Sequence, residues 1–243
     1  MNRGIDIGFD VRSDSGGKDP DQHSVTLKRY HQQLWSKPLP NGVEFNLDVE
    51  TPSIYLHHKS ALGEFELSSD SIVHPFDYWI RTEHLIKQIP QADLDEFNDI
   101  GSTVGGFLVF PSNQVEGAPT INMARGRSRK IDDRIDLTLE CIRRHYLGES
   151  SPLASTLALY SEFFSLFGGF EEYVSFFLLQ DLMSADGAVQ YFLPFDDFST
   201  PTLPGTVEEY QSYRNLVTRF VVARNNRIHT LFGTPAPESP DVL

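Results

Sequence analysis

Cations and small residues alternate in one short stretch of the chain. Residues 123–130 read Met-Ala-Arg-Gly-Arg-Ser-Arg-Lys, which includes Arg125, Arg127, Arg129 and Lys130. We predict that this stretch is a flexible loop leading into a helix that begins at Ile131. A helix N-terminus offers free backbone N–H groups and the positive end of a dipole, and arginine donates to phosphate in pairs. The pattern therefore predicts a site for a phosphate-bearing ligand, a nucleotide or a nucleic acid.

A simpler alternative is that these charges pair within the protein. Asp132 and Asp133 would lie in the first turn of the predicted helix and would already use its dipole. Glu140 has the spacing to pair with Arg143 and Arg144, three and four residues further along. The sequence leaves both the ligand site and the internal ion pairs open.

A second candidate is Arg224, which lies in the middle of an apolar arc on a helix predicted over 206–231. The arc consists of Tyr210, Tyr213, Val217, Phe220, Val221, Ile228 and Leu231. A buried guanidinium needs a partner, because an unpaired buried charge is costly. That partner is either a carboxylate of the chain (Asp181, Asp196 or Asp197) or the phosphate or carboxylate of a ligand.

A third group of polar residues lies on the two strands of a predicted hairpin. Alternation along the strand places His57 and Lys59 on one face, and the turn brings them near Glu64 and Glu66. This grouping suits acid–base chemistry or a metal, but the spacing matches no closed metal set. Cross-strand charge pairing is the simpler interpretation, and we predict no metal site.

Two clusters of acids have a structural alternative of the same kind. Asp196 and Asp197 follow a β-like run and would either hold Mg²⁺ on a phosphate or cap a turn. The N-terminal acids lack the alternating ligands of a calcium loop, so we interpret them as solvated; they are Asp10, Asp14, Asp19 and Asp21.

The sequence leaves open whether the protein is an enzyme. His57, Glu64 and Asp196 are the candidates for catalysis. The chain has no phosphate loop, dinucleotide fingerprint, nucleophile elbow or zinc helix, so we predict no cofactor. Cys141 falls beside the apolar arc of its helix and is interpreted as a buried small residue.

The net charge of −14 is unevenly distributed along the 243 residues. No Lys or Arg occurs between His145 and Tyr213, where ten acids account for −10 of that charge. Basic blocks at 125–145 (+3) and 214–229 (+4) flank this acidic, aromatic stretch. The average excludes a basic coat, but it is compatible with a basic pocket. The competing hypothesis is a non-catalytic interaction protein whose basic and acidic segments pair with each other or with a partner.

The order of the predicted elements indicates an α+β fold, with a small antiparallel sheet packed against a mostly helical C-terminal half. Strands are predicted at 43–49, 54–59, 63–67 and 106–110, with a further β-like run at 188–193. Helices are predicted at 25–37, 76–88, 93–100, 131–147, 153–167, 170–183 and 206–231. We expect a mobile arm or surface loop over 1–24, one domain over 25–232 and an extended tail over 233–243.

The composition favours a cytoplasmic protein. No apolar run approaches the ~20 residues of a membrane span, and the N-terminus lacks the apolar core of a signal peptide. One cysteine allows no internal disulfide, which is typical of a reducing compartment.

Three segments resemble an uncharacterised family of bacterial proteins. They are Tyr-His-Gln-Gln-Leu-Trp-Ser-Lys-Pro-Leu-Pro-Asn-Gly (30–42), Leu-Thr-Leu-Glu-Cys-Ile-Arg-Arg-His-Tyr (137–146) and Phe-Leu-Pro-Phe-Asp-Asp-Phe (192–198). The resemblance extends over most of the chain. It implies a bacterial or phage-related intracellular origin, and it brings neither an activity nor site residues.

Overall fold

Strands occupy the first half of the chain and helices dominate the second, so the predicted α+β class is confirmed. The computed structural model describes residues 4–77, 79–115 and 117–233. Within these residues the α-helices are α1 (Pro20–His23), α2 (Val25–Trp35), α3 (Glu83–Ile86), α4 (Gln91–Gly101), α5 (Ile121–Arg127), α6 (Ile135–Leu147), α7 (Ala154–Ala158), α8 (Ser161–Ser165), α9 (Phe170–Phe176) and α10 (Val207–Phe232). Short 3₁₀ turns lie at Val11–Asp14, Val104–Gly106 and Gln180–Leu182.

Both sheets are small and antiparallel. A two-residue ribbon joins β1 (Lys37–Pro38) to β2 (Glu44–Phe45), and a three-stranded sheet has the order β3 (Leu56–Ser60), β4 (Gly63–Ser71), β5 (Phe107–Pro111). β5 is buried along its whole length although it lies at one edge of this sheet. β3 pairs only with residues 63–67 of β4, so residues 68–71 have β5 on one side and no strand on the other.

The long helix α10 organises the core. Six of the seven residues of its predicted apolar arc are buried, whereas Leu231 is 57 % exposed. Two tyrosines of the arc anchor the loop after β4. The Tyr210 hydroxyl donates to the Pro75 carbonyl at 3.0 Å, and that of Tyr213 donates to the His74 carbonyl at 3.1 Å. On the same helix the Asn225 Oδ1 accepts the Gly105 N–H at 2.8 Å. α10 therefore fixes the backbone at one end of the three-stranded sheet, where β4 ends and β5 begins.

Several predicted helices are shorter than their apolar patterns suggested. The pattern at 170–183 yields α9, which ends at Phe176 because Leu178 takes a left-handed backbone with φ of 56°. The pattern at 153–167 splits into α7 and α8, and that at 76–88 yields only α3. The β-like run at 188–193 forms one isolated bridge, Met183 with Val189.

The N-terminal segment is packed onto the domain, where the sequence had indicated a mobile arm or surface loop. Ile5 and Val11 lie in the core, and Asp14 accepts hydrogen bonds from Ser24 and Thr26 at the start of α2. Asp21, which we had interpreted as solvated, is largely buried against β4. Of the predicted tail, only Gly233 belongs to the described residues.

Candidate functional site

The first five residues of the Arg-rich stretch, 123–127, are helical where the sequence predicted a flexible loop, and 128–130 lie outside the helix. Residues 121–127 form α5, and the next helix starts at Ile135 rather than Ile131. Thr120 caps α5 by accepting the Met123 N–H at 3.3 Å. Because Ile121 and Arg125 are four residues apart on this helix, they share its buried face. Among the described residues, no helix therefore begins directly after Lys130, where the sequence predicted an anion site at a helix N-terminus.

Arg125 is 0 % exposed and is fully engaged inside the protein. One guanidinium nitrogen pairs with Asp70 on β4, and another donates to the Asp133 carbonyl at 2.9 Å. Its Nε donates to the Thr138 hydroxyl at 2.9 Å, and the guanidinium stacks on the Phe110 ring. This arginine connects β4, β5 and α6, so it is occupied by the internal ion pair that the sequence analysis gave as the alternative.

Two consecutive aspartates between α5 and α6 complete this buried network. Asp132 and Asp133 both have left-handed backbones, with φ of 45° and 62°, which points their side chains in different directions. Asp132 accepts two hydrogen bonds from Arg81, at 2.5 and 3.0 Å, and a third from Thr202. Asp133 lies 3.2 Å from His74 Nε2. The acids expected in a helical turn are instead partners of distant side chains.

The remaining cations of this stretch face solvent. Arg127, Arg129 and Lys130 are exposed and have no carboxylate partner in the described part of the chain. Lys130 lines a cleft of about 420 Å³ with Arg144, but Asp197 lines the same cleft. Arg144 is bound to Glu140 at 2.7 Å, as the spacing predicted. This cleft therefore combines both signs of charge.

Arg224 is 0 % exposed and has no carboxylate partner among the described residues. It donates to three backbone carbonyls: Gly105 at 2.8 Å, Phe107 at 2.7 Å and Phe177 at 3.3 Å. Its Nε has no hydrogen-bond partner within these residues. Of the carboxylates expected to pair with it, Asp181 binds Arg227 instead, at 3.0 Å. Burial lowers the pKa of Arg224 to about 9, so the guanidinium still carries its charge at neutral pH.

Lys37 is a second cation in this region, and the sequence analysis did not identify it. It begins β1, and its ammonium donates to the Phe176 carbonyl at 2.6 Å while lying over the Trp35 and Phe176 rings. Burial, and secondarily the charge of Arg224, lowers the pKa of Lys37 to about 8. Arg224 also lies over the Trp35 ring, at 5.8 Å. The indole therefore contacts two cations, which repel one another and have no anion between them.

Lys37 lines a cleft of about 700 Å³ that runs along α10. We call this the α10 cleft; it is lined by Lys37, Ser175, Leu178, Gln180, Ala223, Asn226, Arg227, Thr230, Leu231 and Phe232. None of these described lining residues is acidic, although the protein carries a net charge of −14. The polar side chains of this lining provide hydrogen-bond donors beside Lys37, and the apolar side chains provide a contact surface for a ring.

The predicted hairpin brings its polar residues together as expected. His57 Nε2 lies 2.9 Å from Glu64, and Lys59 lies 2.7 Å from the same carboxylate. These two partners lower the pKa of Glu64, Lys59 more than His57. The His57 Nδ1 contacts the Thr51 hydroxyl at 3.2 Å. The group is a surface ion-pair network on the solvent face of β3 and β4, and none of the clefts described here includes it.

The other catalytic candidates lie apart from this hairpin. Asp196 is exposed, and its neighbour Asp197 caps a turn by accepting the Ser199 N–H at 2.6 Å. Cys141 is buried, and burial raises the pKa of its thiol to about 12, so it stays protonated. Within the described ranges, no group of three His, Cys, Asp or Glu is arranged to hold a metal, and no helix is both long and apolar enough to cross a membrane.

Fold and site together define an α+β protein with a buried ionic network and an acid-free cationic cleft. A family model described as a family of unknown function (DUF6994) matches residues 5–228, so the chain belongs to this family. The predicted resemblance to an uncharacterised family over most of the chain is thereby confirmed. No curated protein and no solved structure matches the chain significantly.

Proposed function

We propose that this protein binds a small anionic, phosphate-bearing ligand in the α10 cleft. The observation that carries the proposal is Lys37, which lines an acid-free cleft and shares the Trp35 ring with the buried Arg224. Neither cation has a carboxylate partner among the described residues. A buried charge that only carbonyl groups neutralise costs free energy, and a second cation beside it increases that cost. An anion in the cleft would contact Lys37 directly and would stabilise both charges.

The size of the cleft and the charge of the surrounding surface favour a nucleotide-sized ligand over a nucleic acid. A volume of about 700 Å³ is typical of a small-molecule site. Of the ten acids between His145 and Tyr213, only Asp181 has a Lys or Arg partner among the described residues. The other nine leave this part of the protein negative, which disfavours a long polyanion.

The proposal includes a possible chemical role for Lys37. A lysine whose pKa is lowered to about 8 is partly neutral at neutral pH, and a neutral amine is a nucleophile and a base. If the ligand is processed as well as bound, Lys37 is the side chain in the α10 cleft that would act on it. Arg224 would then act through Lys37 as a positioning residue.

Binding is tested by calorimetric titration of the full chain with ADP and with inorganic pyrophosphate. We expect both to bind the unaltered protein, and Lys37→Met to weaken binding roughly 10- to 100-fold, because a charged hydrogen bond is lost. Lys130→Met is the matched control: it removes an equal charge from the exposed Arg-rich stretch and should change affinity by less than about twofold.

Two results would contradict the α10 cleft as the site. One is the absence of binding by either probe. The other is the reverse pattern, in which Lys130→Met abolishes binding and Lys37→Met leaves it intact. A single-stranded oligonucleotide serves as a third probe, and we expect it to bind more weakly than ADP at equal ionic strength, because the acidic surface repels it.

The competing proposal is a non-catalytic interaction protein in which charged segments meet a partner. The described residues contain one ion pair between the acidic stretch and the second basic block, Arg227 with Asp181. The exposed acids therefore stay available to a basic partner. A protein that co-purifies with the chain and competes with no small anion would favour this alternative. In either case we propose a bacterial cytoplasmic setting, in which the single thiol of Cys141 stays reduced.

A further inference from the structure

A second and larger cleft, of about 840 Å³, lies beside the part of β4 that has no strand on one side. It is bounded by residues of α1 and α2, by the loop 49–55, by β4 and by residues of the segments 112–114 and 120–123. Two side chains occupy the hydrogen-bonding edge of β4 here. Asp21 Oδ2 accepts the Ser71 N–H at 3.1 Å, and the Asn122 amide donates to the Ser69 carbonyl at 3.0 Å. We call this the β4-edge cleft.

Three oxygen atoms among the residues that line this cleft lack hydrogen-bond partners within the described chain. They are Asp21 Oδ1, Ser69 Oγ and Asn122 Oδ1, and each is buried. Ser69 is only 6 % exposed; its hydroxyl lies near that of Tyr55, yet not in hydrogen-bond geometry. Buried polar atoms are nearly always paired, so three in one cleft indicate a missing partner.

The orientation of Asn122 is fixed by its other contacts. Its Nδ2 donates to the Ser69 carbonyl and to the Ser68 hydroxyl, at 3.0 and 3.2 Å. A carbonyl oxygen accepts only, so the amide cannot be turned around without losing the first of these bonds. The free atom of Asn122 is therefore an acceptor. Together with the carboxyl oxygen of Asp21 and the Ser69 hydroxyl, it calls for a ligand that donates hydrogen bonds.

The charges around the cleft also favour a ligand that donates hydrogen bonds. The lining contains three acids, Asp21, Glu50 and Glu66, and one cation, Lys28. The Lys28 ammonium is already bound to the carbonyls of Val49 and Ile54, at 2.9 and 3.3 Å. Behind Asp21 lie Asp19 and Asp70, and Arg125 is held by Asp70. The net charge of the lining is −2 when Asp21 is ionised and −1 when it is protonated, and either value disfavours phosphate and favours a cation.

We infer that the β4-edge cleft binds a small organic amine, whose ammonium group donates to Asp21 Oδ1, Ser69 Oγ and Asn122 Oδ1. An ammonium group has three donors and no acceptor, which matches three free oxygens. The ligand class is that of aliphatic amines with a flexible polar or methylene chain, since the cleft holds more volume than the ammonium requires. This site is separate from the α10 cleft, and it shares no lining residue with it.

Amine binding would also move a proton. Burial, and then the charges of Asp70 and Asp19, raise the pKa of Asp21 to about 8, against the opposing effects of the Ser71 N–H and Arg125. In the free protein at neutral pH this carboxyl is mostly protonated. An incoming ammonium favours the carboxylate, so the Asp21 proton leaves for solvent and the ammonium keeps its own.

The test is titration of the full chain with putrescine and spermidine, in two buffers that differ in ionisation enthalpy. We expect binding at pH 7 with release of up to one proton. Asp21→Asn should weaken binding roughly 10- to 100-fold and abolish proton release. Glu96→Gln removes one exposed acid elsewhere and serves as the charge-matched control, with an affinity unchanged within about twofold.

Three outcomes would overturn the inference. They are the absence of binding by either amine, equal affinity of the unaltered protein and Asp21→Asn, and binding of glucose in place of the amines. Ser69→Ala provides a second variant that keeps the fold, because the Ser69 hydroxyl has no hydrogen-bond partner within the described chain; it removes one of the three acceptors and should weaken binding of the amines. The Asp21→Asn protein should still bind ADP. A failure of the proposed amine site is therefore distinguishable from a failure of the proposed anion site in the α10 cleft.

Discussion

Buried arginines are stabilised in two different ways in this protein. Arg125 is neutralised by carboxylates, since Asp70 and Asp133 both lie within ion-pair distance. Arg224 has carbonyl groups and an indole ring instead. The first arrangement is complete without a ligand, whereas the second retains an uncompensated positive charge. This contrast is the reason for assigning the anion site to the α10 cleft.

Replacing Arg125 tests the view that it is structural. Arg125→Met leaves Asp70 and Asp133 without their shared cation, and removal of one partner of a buried pair costs about 3–5 kcal/mol of unfolding free energy. Arg129→Met is the control on the exposed side of the same stretch, with an expected effect within about 0.5 kcal/mol. Urea unfolding of both variants measures the difference. Equal effects would show that Arg125 is not the central ion of this network.

The pH dependence of stability follows from Asp21. Its pKa is about 8 in the folded protein and about 3.9 in an unfolded chain, so between these values only the folded state holds the proton. Stability therefore falls as the pH rises through this window. Between about pH 5 and pH 8 we expect Asp21 to account for a loss of about 2 kcal/mol, reduced from the full value by partial solvent access.

The measurement is a series of urea midpoints across this pH range for the unaltered protein and Asp21→Asn. The variant keeps a side-chain acceptor for the Ser71 N–H and cannot ionise, so its curve should be flatter. Parallel curves would mean that Asp21 is solvated and ionised throughout, as we first inferred from the sequence.

At the scale of elements, two glycines in the turn that leads into β5 allow two helices to pack closely against that turn. A Cβ on Gly106 would lie 1.9 Å from the Gly101 carbonyl oxygen at the end of α4. A Cβ on Gly105 would lie 2.5 Å from Asn225 Oδ1 on α10. The two helices therefore approach the 3₁₀ turn Val104–Gly106 closely enough that only glycine fits.

Gly106→Ala tests this close packing. The obstructing atom is backbone and cannot rotate away, so we expect a loss of about 3 kcal/mol or more. Gly126→Ala in α5 is the matched control, because its Cβ would meet nothing nearer than Asp133 Oδ2 at 3.6 Å. There alanine should be neutral or stabilising by up to about 1 kcal/mol, as in other helix interiors. Thermal unfolding that ranks the two variants the other way would contradict this packing.

The elements also show which inferences local sequence supports. The hairpin, α2 with its Ser24 cap, the span of α10 and the Glu140 ion pairs all depend on spacing within one element, and all were predicted. The bend at Asp132 and Asp133 was not, because it depends on Arg81 and Thr202, which are distant in sequence. Likewise no local pattern marks Lys37, whose low pKa arises from burial against other segments.

At the scale of the whole molecule, half of the 20 Lys and Arg residues are already paired with a carboxylate of the protein itself. Ten of them have a carboxylate partner among the described residues: Arg12, Lys59, Arg81, Lys87, Arg125, Arg134, Arg143, Arg144, Arg214 and Arg227. Arg224 is the fully buried cation outside this set. A small anion entering an acidic protein would therefore find an uncompensated positive field at the α10 cleft.

The pKa of Lys37 tests this account most directly. NMR titration of its ε-methylene and ammonium signals, assigned with Lys37→Met, gives the value with and without saturating pyrophosphate. We predict about 8 for the free protein and a clear rise when the anion is bound, since an opposite charge favours the protonated amine. An ordinary lysine pKa in the free protein, or a low value that pyrophosphate leaves unchanged, would contradict the α10 cleft as an anion site.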